Sequence, residues 1–148
     1  HVVMDGFSSV LTSGDDVTIS VWFKMKEETR TYFICGGSTT DDCDVFRIGI
    51  GRDGGIIIKS QTNESLEDIG GNYRDSSWHY LTAVIEGNGS RQVHVDMVEV
   101  EGFVNKEPAQ FSELRAVVSG ADWDGDMRTD FFGGRLGELR IYTTFGSN

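Results

Sequence analysis

Residues 17 to 25 read VTISVWFKM, placing Val17, Ile19, Val21, Phe23 and Met25 on one side of an extended chain. Apolar residues at period two mark a half-buried strand, because successive side chains of a strand point to opposite faces. The rest of the chain has the same texture. Runs rich in Val, Ile, Thr and aromatics recur at Val2–Met4, Thr31–Cys35, Val45–Ile50, Ile56–Ser60, Trp78–Glu86, Gln92–Val98, Arg115–Ser119 and Leu136–Tyr142. Between them lie turn signals at Arg52-Asp53-Gly54-Gly55, Gly70-Gly71-Asn72 and Gly87-Asn88-Gly89. No stretch of a dozen residues carries a 3.6-residue period, and the best helical candidate, Ala109–Leu114, is too short to stand alone. The expectation is one all-β domain over residues 1–148, an antiparallel β-sandwich of the jelly-roll kind, with no repeat and no linker.

A chain of 148 residues has room for a proper core. Its net charge of −11, from 24 acidic and 13 basic residues, repels phosphate backbones and anionic lipid surfaces, which argues against nucleic acid as a partner. No apolar run approaches the roughly 20 residues of a membrane helix, so no membrane insertion is expected. The start at His1, without a basic and then apolar leader, reads as a mature product or an excised domain.

Cys35 and Cys43 fit neither a zinc ribbon nor a redox CxxC pair. A local disulfide pinning a hairpin is one reading, conditional on secretion. The acceptor sequons Asn63-Glu64-Ser65 and Asn88-Gly89-Ser90 fall in polar, turn-like stretches where a glycan is tolerated. Together with the acidic surplus, they favour an extracellular or cell-surface setting.

The densest acidic stretch is ADWDGDMRTD, residues 121 to 130. Asp122, Asp124, Asp126 and Asp130 stand at relative positions 1, 3, 5 and 9. The spacing is not that of an EF-hand, which needs glycine at position 6 and a glutamate at position 12. Alternating carboxylates in a tight turn still converge on one point, where their mutual repulsion is relieved by a hard cation. A second acidic stretch, Thr40-Asp41-Asp42-Cys43-Asp44, precedes the Val45–Ile50 run. Zinc is disfavoured, because His1, His79 and His94 have no ligand spacing with the cysteines.

Four segments in order resemble the laminin-G-like and pentraxin-like jelly rolls of the concanavalin A-like superfamily. Val17–Lys24 resembles an early core strand of that group, and Ser77-Trp78-His79-Tyr80-Leu81-Thr82-Ala83-Val84 its W-H-x-(V/L) strand. Gln92–Asp96 resembles the strand after it, and Gly134-Arg135-Leu136-Gly137-Glu138-Leu139-Arg140-Ile141-Tyr142 the closing strand. Two departures separate the chain from the circulating pentraxins. Met97-Val98 replaces the usual end of the V-D-G hairpin, and Val21 and Thr82 stand near the places of their cysteine pair.

The resemblance implies a jelly roll that binds calcium through two loops. It implies carboxylate ligands at Asp122 and Asp124, a backbone carbonyl at Trp123, and a later acidic ligand at Asp126 or Asp130. From the other loop it implies Asp42, with Asp41 or Asp44.

The remaining constellations read as structural. Asp96-Met97-Val98-Glu99-Val100-Glu101 invites comparison with the paired carboxylates of β-sandwich glycanases. Glu99 and Glu101 are expected on one face, but the central Asp is absent and Phe103 or Val104 stands where the last Glu is needed. His79 and His94 are expected at the surface or half-buried, in no catalytic triad. Trp22 and Trp78 are expected as core anchors, whereas Trp123, inside the acidic loop, is expected to be partly exposed and is a candidate ligand contact. The expected activity is non-catalytic: a calcium-dependent extracellular binding or adhesion module with Ca2+ as cofactor, recognising a carbohydrate or glycoprotein. The alternative is a structural module beside neighbouring domains of a larger protein, with calcium as a loop staple.

Overall fold

The computed structural model describes residues 2–5, 15–26, 30–37, 45–59, 67–105, 116–120, 122–124, 127–129 and 132–144. Among them the regular structure is all strand. In chain order these are β1 (Val2–Asp5), β2 (Asp16–Met25), β3 (Thr31–Gly37), β4 (Phe46–Ile50), β5 (Ile56–Lys59) and β6 (Glu67–Gly70). There follow β7 (Trp78–Ile85), β8 (Ser90–Val95), β9 (Val98–Asn105), β10 (Ala116–Ser119), β11 (Asp122–Asp124), β12 (Met127–Thr129) and β13 (Gly134–Thr144). A six-stranded sheet has the order β1-β10-β3-β4-β5-β6, and a five-stranded sheet the order β13-β2-β7-β8-β9. Every described pairing is antiparallel.

The alternation on β2 does what it predicts. Val17, Ile19, Val21, Phe23 and Met25 are buried and meet Phe33, Ile34, Ile48, Ile50, Ile56 and Ile58 of the facing sheet. Phe23 and Phe33 stack across the interior with centroids 4.5 Å apart. A charged group joins this interior. Arg91 on β8 is completely buried, and its guanidinium bonds to Glu101 on β9 at 2.8 Å and to Glu67 on β6 at 2.5 Å. It ties one sheet to the other, since a buried cation is tolerable only when carboxylates replace its water.

The expected run Gln92–Val98 is two strands. Asp96 and Met97 have φ of 52° and 65° and form a two-residue turn between Val95 and Val98. That left-handed pair is what a tight hairpin of twisted strands requires. β9 then gains an unpaired residue near Val100, where the register with β8 shifts. The bulge puts Glu99 and Glu101 on opposite faces, contrary to expectation. Glu99 accepts from Gln92 Nε2 at 2.9 Å on the outside, while Glu101 turns inward to Arg91. β6 and the β11–β12 pair have no counterpart among the expected strands. The helical candidate Ala109–Leu114 lies outside the described residues.

Candidate functional site

When β2 buries its odd-numbered residues, Thr18, Ser20, Trp22 and Lys24 are left on the outer face of the five-stranded sheet. Register then builds that face in rows. Arg135, Lys24 and Trp78 lie side by side, and Gly137, Trp22 and Tyr80 form the next row. Trp22 and Trp78 are 40% and 45% exposed, which corrects their expected role as core anchors. The signal was in the alternation: Trp22 is in phase with Thr18, Ser20 and Lys24, not with the apolar set. Trp22 leans on Tyr80, with centroids 4.9 Å apart and planes at 40°.

Gly137 contributes no side chain to its row, and a depression of about 450 Å³ opens there, lined by Trp22, Trp78, Gly137 and Glu138. A bulge in β13 between Gly137 and Arg140, with Glu138 at φ 45°, sets its rim. Glu138 Oε1 accepts from Arg140 Nη2 at 2.8 Å, and Arg140 Nη1 donates to the Tyr142 hydroxyl at 3.3 Å. Indole faces carry the negative side of a quadrupole and attract the polarised C–H bonds of a ring laid flat on them. The carboxylate and guanidinium beside them are planar hydrogen-bonding groups held on a sheet rather than on a loop.

Behind this face His79, on the strand that carries Trp78 and Tyr80, points inward and is buried rather than at the surface. Its ring lies 5.4 Å from Phe23 and 5.2 Å from Tyr73, and both its nitrogens meet carboxylates. Nδ1 is 2.7 Å from Asp96 Oδ2, and Nε2 is 2.9 Å from Asp75 Oδ1. Burial alone would depress the imidazole, but the hydrogen bonds and charges of Asp96 and Asp75 outweigh it and raise its pKa above the ordinary 6.5. The hydrogen bond from His79 holds Asp75 below the ordinary carboxylate value. At Asp96, burial works upward, and the bonds from His79 and the Tyr80 amide overcome it to lower the pKa. When protonated, His79 donates to both carboxylates and clamps the 71–77 segment to the β8–β9 turn.

A family model described as the concanavalin A-like lectin/glucanases superfamily, of laminin-G type, matches residues 3–146. The chain belongs to this superfamily. No curated protein sequence matches it. Among solved structures, the CBM40 of the Ruminococcus gnavus IT-sialidase, bound to alpha2,3 sialyllactose, aligns at TM-score 0.72 and 16% identity. That alignment covers 90% of this chain and 79% of the other. A SAP-like pentraxin from Limulus polyphemus aligns at TM-score 0.67 and 16% identity, over 88% and 65% of the two chains. Domain 4 of the extracellular arabinanase AbnA of Geobacillus stearothermophilus, in complex with arabinotriose, aligns at TM-score 0.61 and 19% identity, over 89% and 62%. These likenesses carry the lectin-like jelly-roll fold.

In this superfamily member the sequence-predicted ligands divide into two groups. Asp122, Trp123 and Asp124 form β11, paired to β12 with Asp122 opposite Thr129 and Asp124 opposite Met127. The hairpin's neck is tied by Gly120 N–H to Phe33 O at 3.0 Å and Phe132 N–H to Gly120 O at 2.9 Å. Asp41, Asp42, Cys43, Asp44, Asp126, Asp130 and Asn63 lie outside the described residues. Among the described residues no group of three His, Cys, Asp or Glu side chains is placed to hold a metal.

The two acidic segments follow different points along β3: residues 38–44 follow Gly37, and the second stretch follows Gly120, which bonds to Phe33. Gly37, which precedes the 38–44 segment, pairs with Ala116, whereas β10 runs on past Ile34 toward β11. Cys35 is buried and disulfide-bonded. Asn88 sits exposed in the β7–β8 turn, where its Oδ1 accepts from Ser90 N–H at 2.8 Å.

Proposed function

We propose that this domain is a non-catalytic carbohydrate-binding module that acts outside the cell, with Trp22 and Trp78 as its sugar platform. The observation that carries the reading is the pair of half-exposed indoles flanking an open depression on a rigid sheet. Two large aromatics left in water on a small domain are an apolar surface with a use, and their flat faces suit a pyranose or furanose ring. The sugars bound by the Ruminococcus gnavus and Geobacillus stearothermophilus domains are consistent with it. Absence of catalysis is supported by Glu99 and Glu101, which face opposite ways, Glu101 being committed to Arg91. An oxidising, extracellular setting is supported by the disulfide at Cys35 and the exposed sequon at Asn88.

Calcium belongs to the same proposal, as a staple of the acidic hairpin. Oxygen donors at positions 122, 124, 126 and 130 suit a hard cation.

Binding is tested by calorimetry against a glycan panel. The intact domain is expected to bind at least one oligosaccharide, and Trp22→Ala and Trp78→Ala each to weaken it ten-fold or more. A panel that stays blank, or binding indifferent to both substitutions, overturns the platform. A domain that calcium stabilises but that binds no glycan is the structural module instead. For calcium, the melting temperature is expected to rise with the ion and fall with chelator, with the difference lost in Asp122→Asn/Asp124→Asn.

A further inference from the structure

The row beside the indoles is cationic. Arg135 and Lys24 are direct cross-strand partners, and Lys24 pairs in turn with Trp78. Lys26 follows two residues on from Lys24 and is exposed. With Ser76 and the backbone at Gly133 and Gly134, these three cations line a second depression of about 180 Å³. It adjoins the aromatic one, because Lys24 is the register neighbour of Trp78.

Two features set this cluster apart from ordinary surface charge. First, like charges directly opposite on neighbouring strands repel, yet among the described residues Lys24, Lys26 and Arg135 have no ion-pair partner. Among the described residues no carboxylate neutralises them, in a chain of net charge −11. Two described carboxylates beside the cluster are engaged elsewhere: Asp75 with His79, and Glu138 with Arg140. Second, Ser76 is held in the left-handed region, φ 64°, by its own N–H bonded to Met25 O at 3.1 Å. A non-glycine residue in that region is strained, and such strain gathers where a side chain or amide must be presented.

We infer that the platform is built for an anionic saccharide, with its acidic group at Lys24, Lys26 and Arg135 and an adjoining ring on Trp78 and Trp22. The inference rests on the platform proposed above and assigns its ligand class. An arginine fork and two ammonium groups match a carboxylate or a sulfate, and the guanidinium offers paired donors to either. The two anions share one chemistry here, so the test carries an arm for each.

Binding is measured in chelator, so that no metal can bridge an acid to the acidic hairpin. The carboxylate arm compares an oligogalacturonate with its methyl ester, and the sulfate arm a chondroitin oligosaccharide with and without sulfate. The intact domain is expected to bind an acidic form at least ten-fold more tightly than its neutral or less charged counterpart. That preference is expected to shrink as salt rises and to vanish in Lys26→Ser/Arg135→Ser, whose melting temperature stays within a few degrees of the parent. The arm that shows the preference identifies the anion. Equal binding of both members of both pairs, unaffected by Lys26→Ser/Arg135→Ser but lost in Trp22→Ala, overturns the anionic class and leaves the platform standing. No binding in either arm, with neutral glycans also blank, overturns both.

Discussion

On β3 of the six-stranded sheet every residue from Thr31 to Gly37 is buried, whereas on β2 of the five-stranded sheet Thr18 and Lys24 are partly exposed and Trp22 stands 40% exposed. Tyr32, Cys35 and Ile57 are buried although they do not belong to the core between the sheets. One sheet is therefore covered on both faces and reads as a near-continuous apolar run, and the other keeps one face for water. A sheet covered on both sides is a fixed frame. The open sheet leans on that frame through Phe23 against Phe33 and through Arg91, so the face that carries Trp22 and Trp78 is held by the core beneath it.

The comparison breaks most sharply at the stacked pair. Phe33→Ala is expected to lower stability by about 3–5 kcal/mol, the cost of a buried ring and the cavity it leaves. Trp22→Ala, a larger deletion by volume, is expected to cost less, about 1–2 kcal/mol, since 40% of the residue is already in water and its removal opens no closed cavity. Urea denaturation of the two variants decides the matter. Similar losses would mean that Trp22 belongs to the core and not to a binding face.

The second break is at the tie between sheets. Arg91→Met keeps the volume but leaves Glu67 and Glu101 facing one another, and is expected to cost about 3 kcal/mol. Adding Glu67→Gln and Glu101→Gln should restore much of the loss, because the penalty lies in carboxylates stripped of their cation. If the triple variant is no more stable than the single one, the arginine acts by packing alone.

The clamp behind the open face contributes less and depends on pH. The folded-state pKa of His79 is raised, so its contribution is complete below the ordinary 6.5 and fades as pH climbs through the raised value. Asp75 and Asp96 are lowered, so theirs is complete above the ordinary 3.8 and fades as pH falls through the lowered values. The stability difference between the parent and His79→Gln should peak between about pH 4 and 6.5. Its height should be about 1–2 kcal/mol, modest because both carboxylates are about half exposed. A difference that stays flat from pH 3 to 9 would remove the charge from the clamp.

How much of this was legible depends on range along the chain. The period of two on β2 specified which residues enter the core, and it also exposed Trp22, whose phase is that of Lys24. The hairpin at Asp96 and Met97 was harder, because neither residue advertises a left-handed turn as Asn-Gly would. Bulges were hidden altogether. A single extra residue near Val100 separates Glu99 from Glu101, and another at Glu138 opens the rim beside Gly137, yet neither leaves a mark in composition. The cation row was hidden for another reason. Arg135 and Lys24 become neighbours only when the closing strand pairs with β2, and acidic clusters in a chain of net charge −11 draw attention away from a few lysines and arginines.

The smallest expected effect on stability is also the cleanest separation of fold from recognition. A Cβ added at Gly137 would meet Trp22 Cβ at 3.6 Å and the edge of Trp78 at 3.8 and 3.9 Å, which is ordinary contact. Gly137 is not among the glycines with positive φ, so a side chain is tolerated by the backbone as well. Gly137→Leu should therefore fold with stability unchanged, or up to about 1 kcal/mol higher as a strand glycine is replaced. Its side chain would occupy the depression between the indoles and should weaken glycan binding by ten-fold or more while the melting temperature holds. Glycan binding that survives in this variant places the sugar elsewhere, and the exposed tryptophans would then have to be explained by contact with another domain.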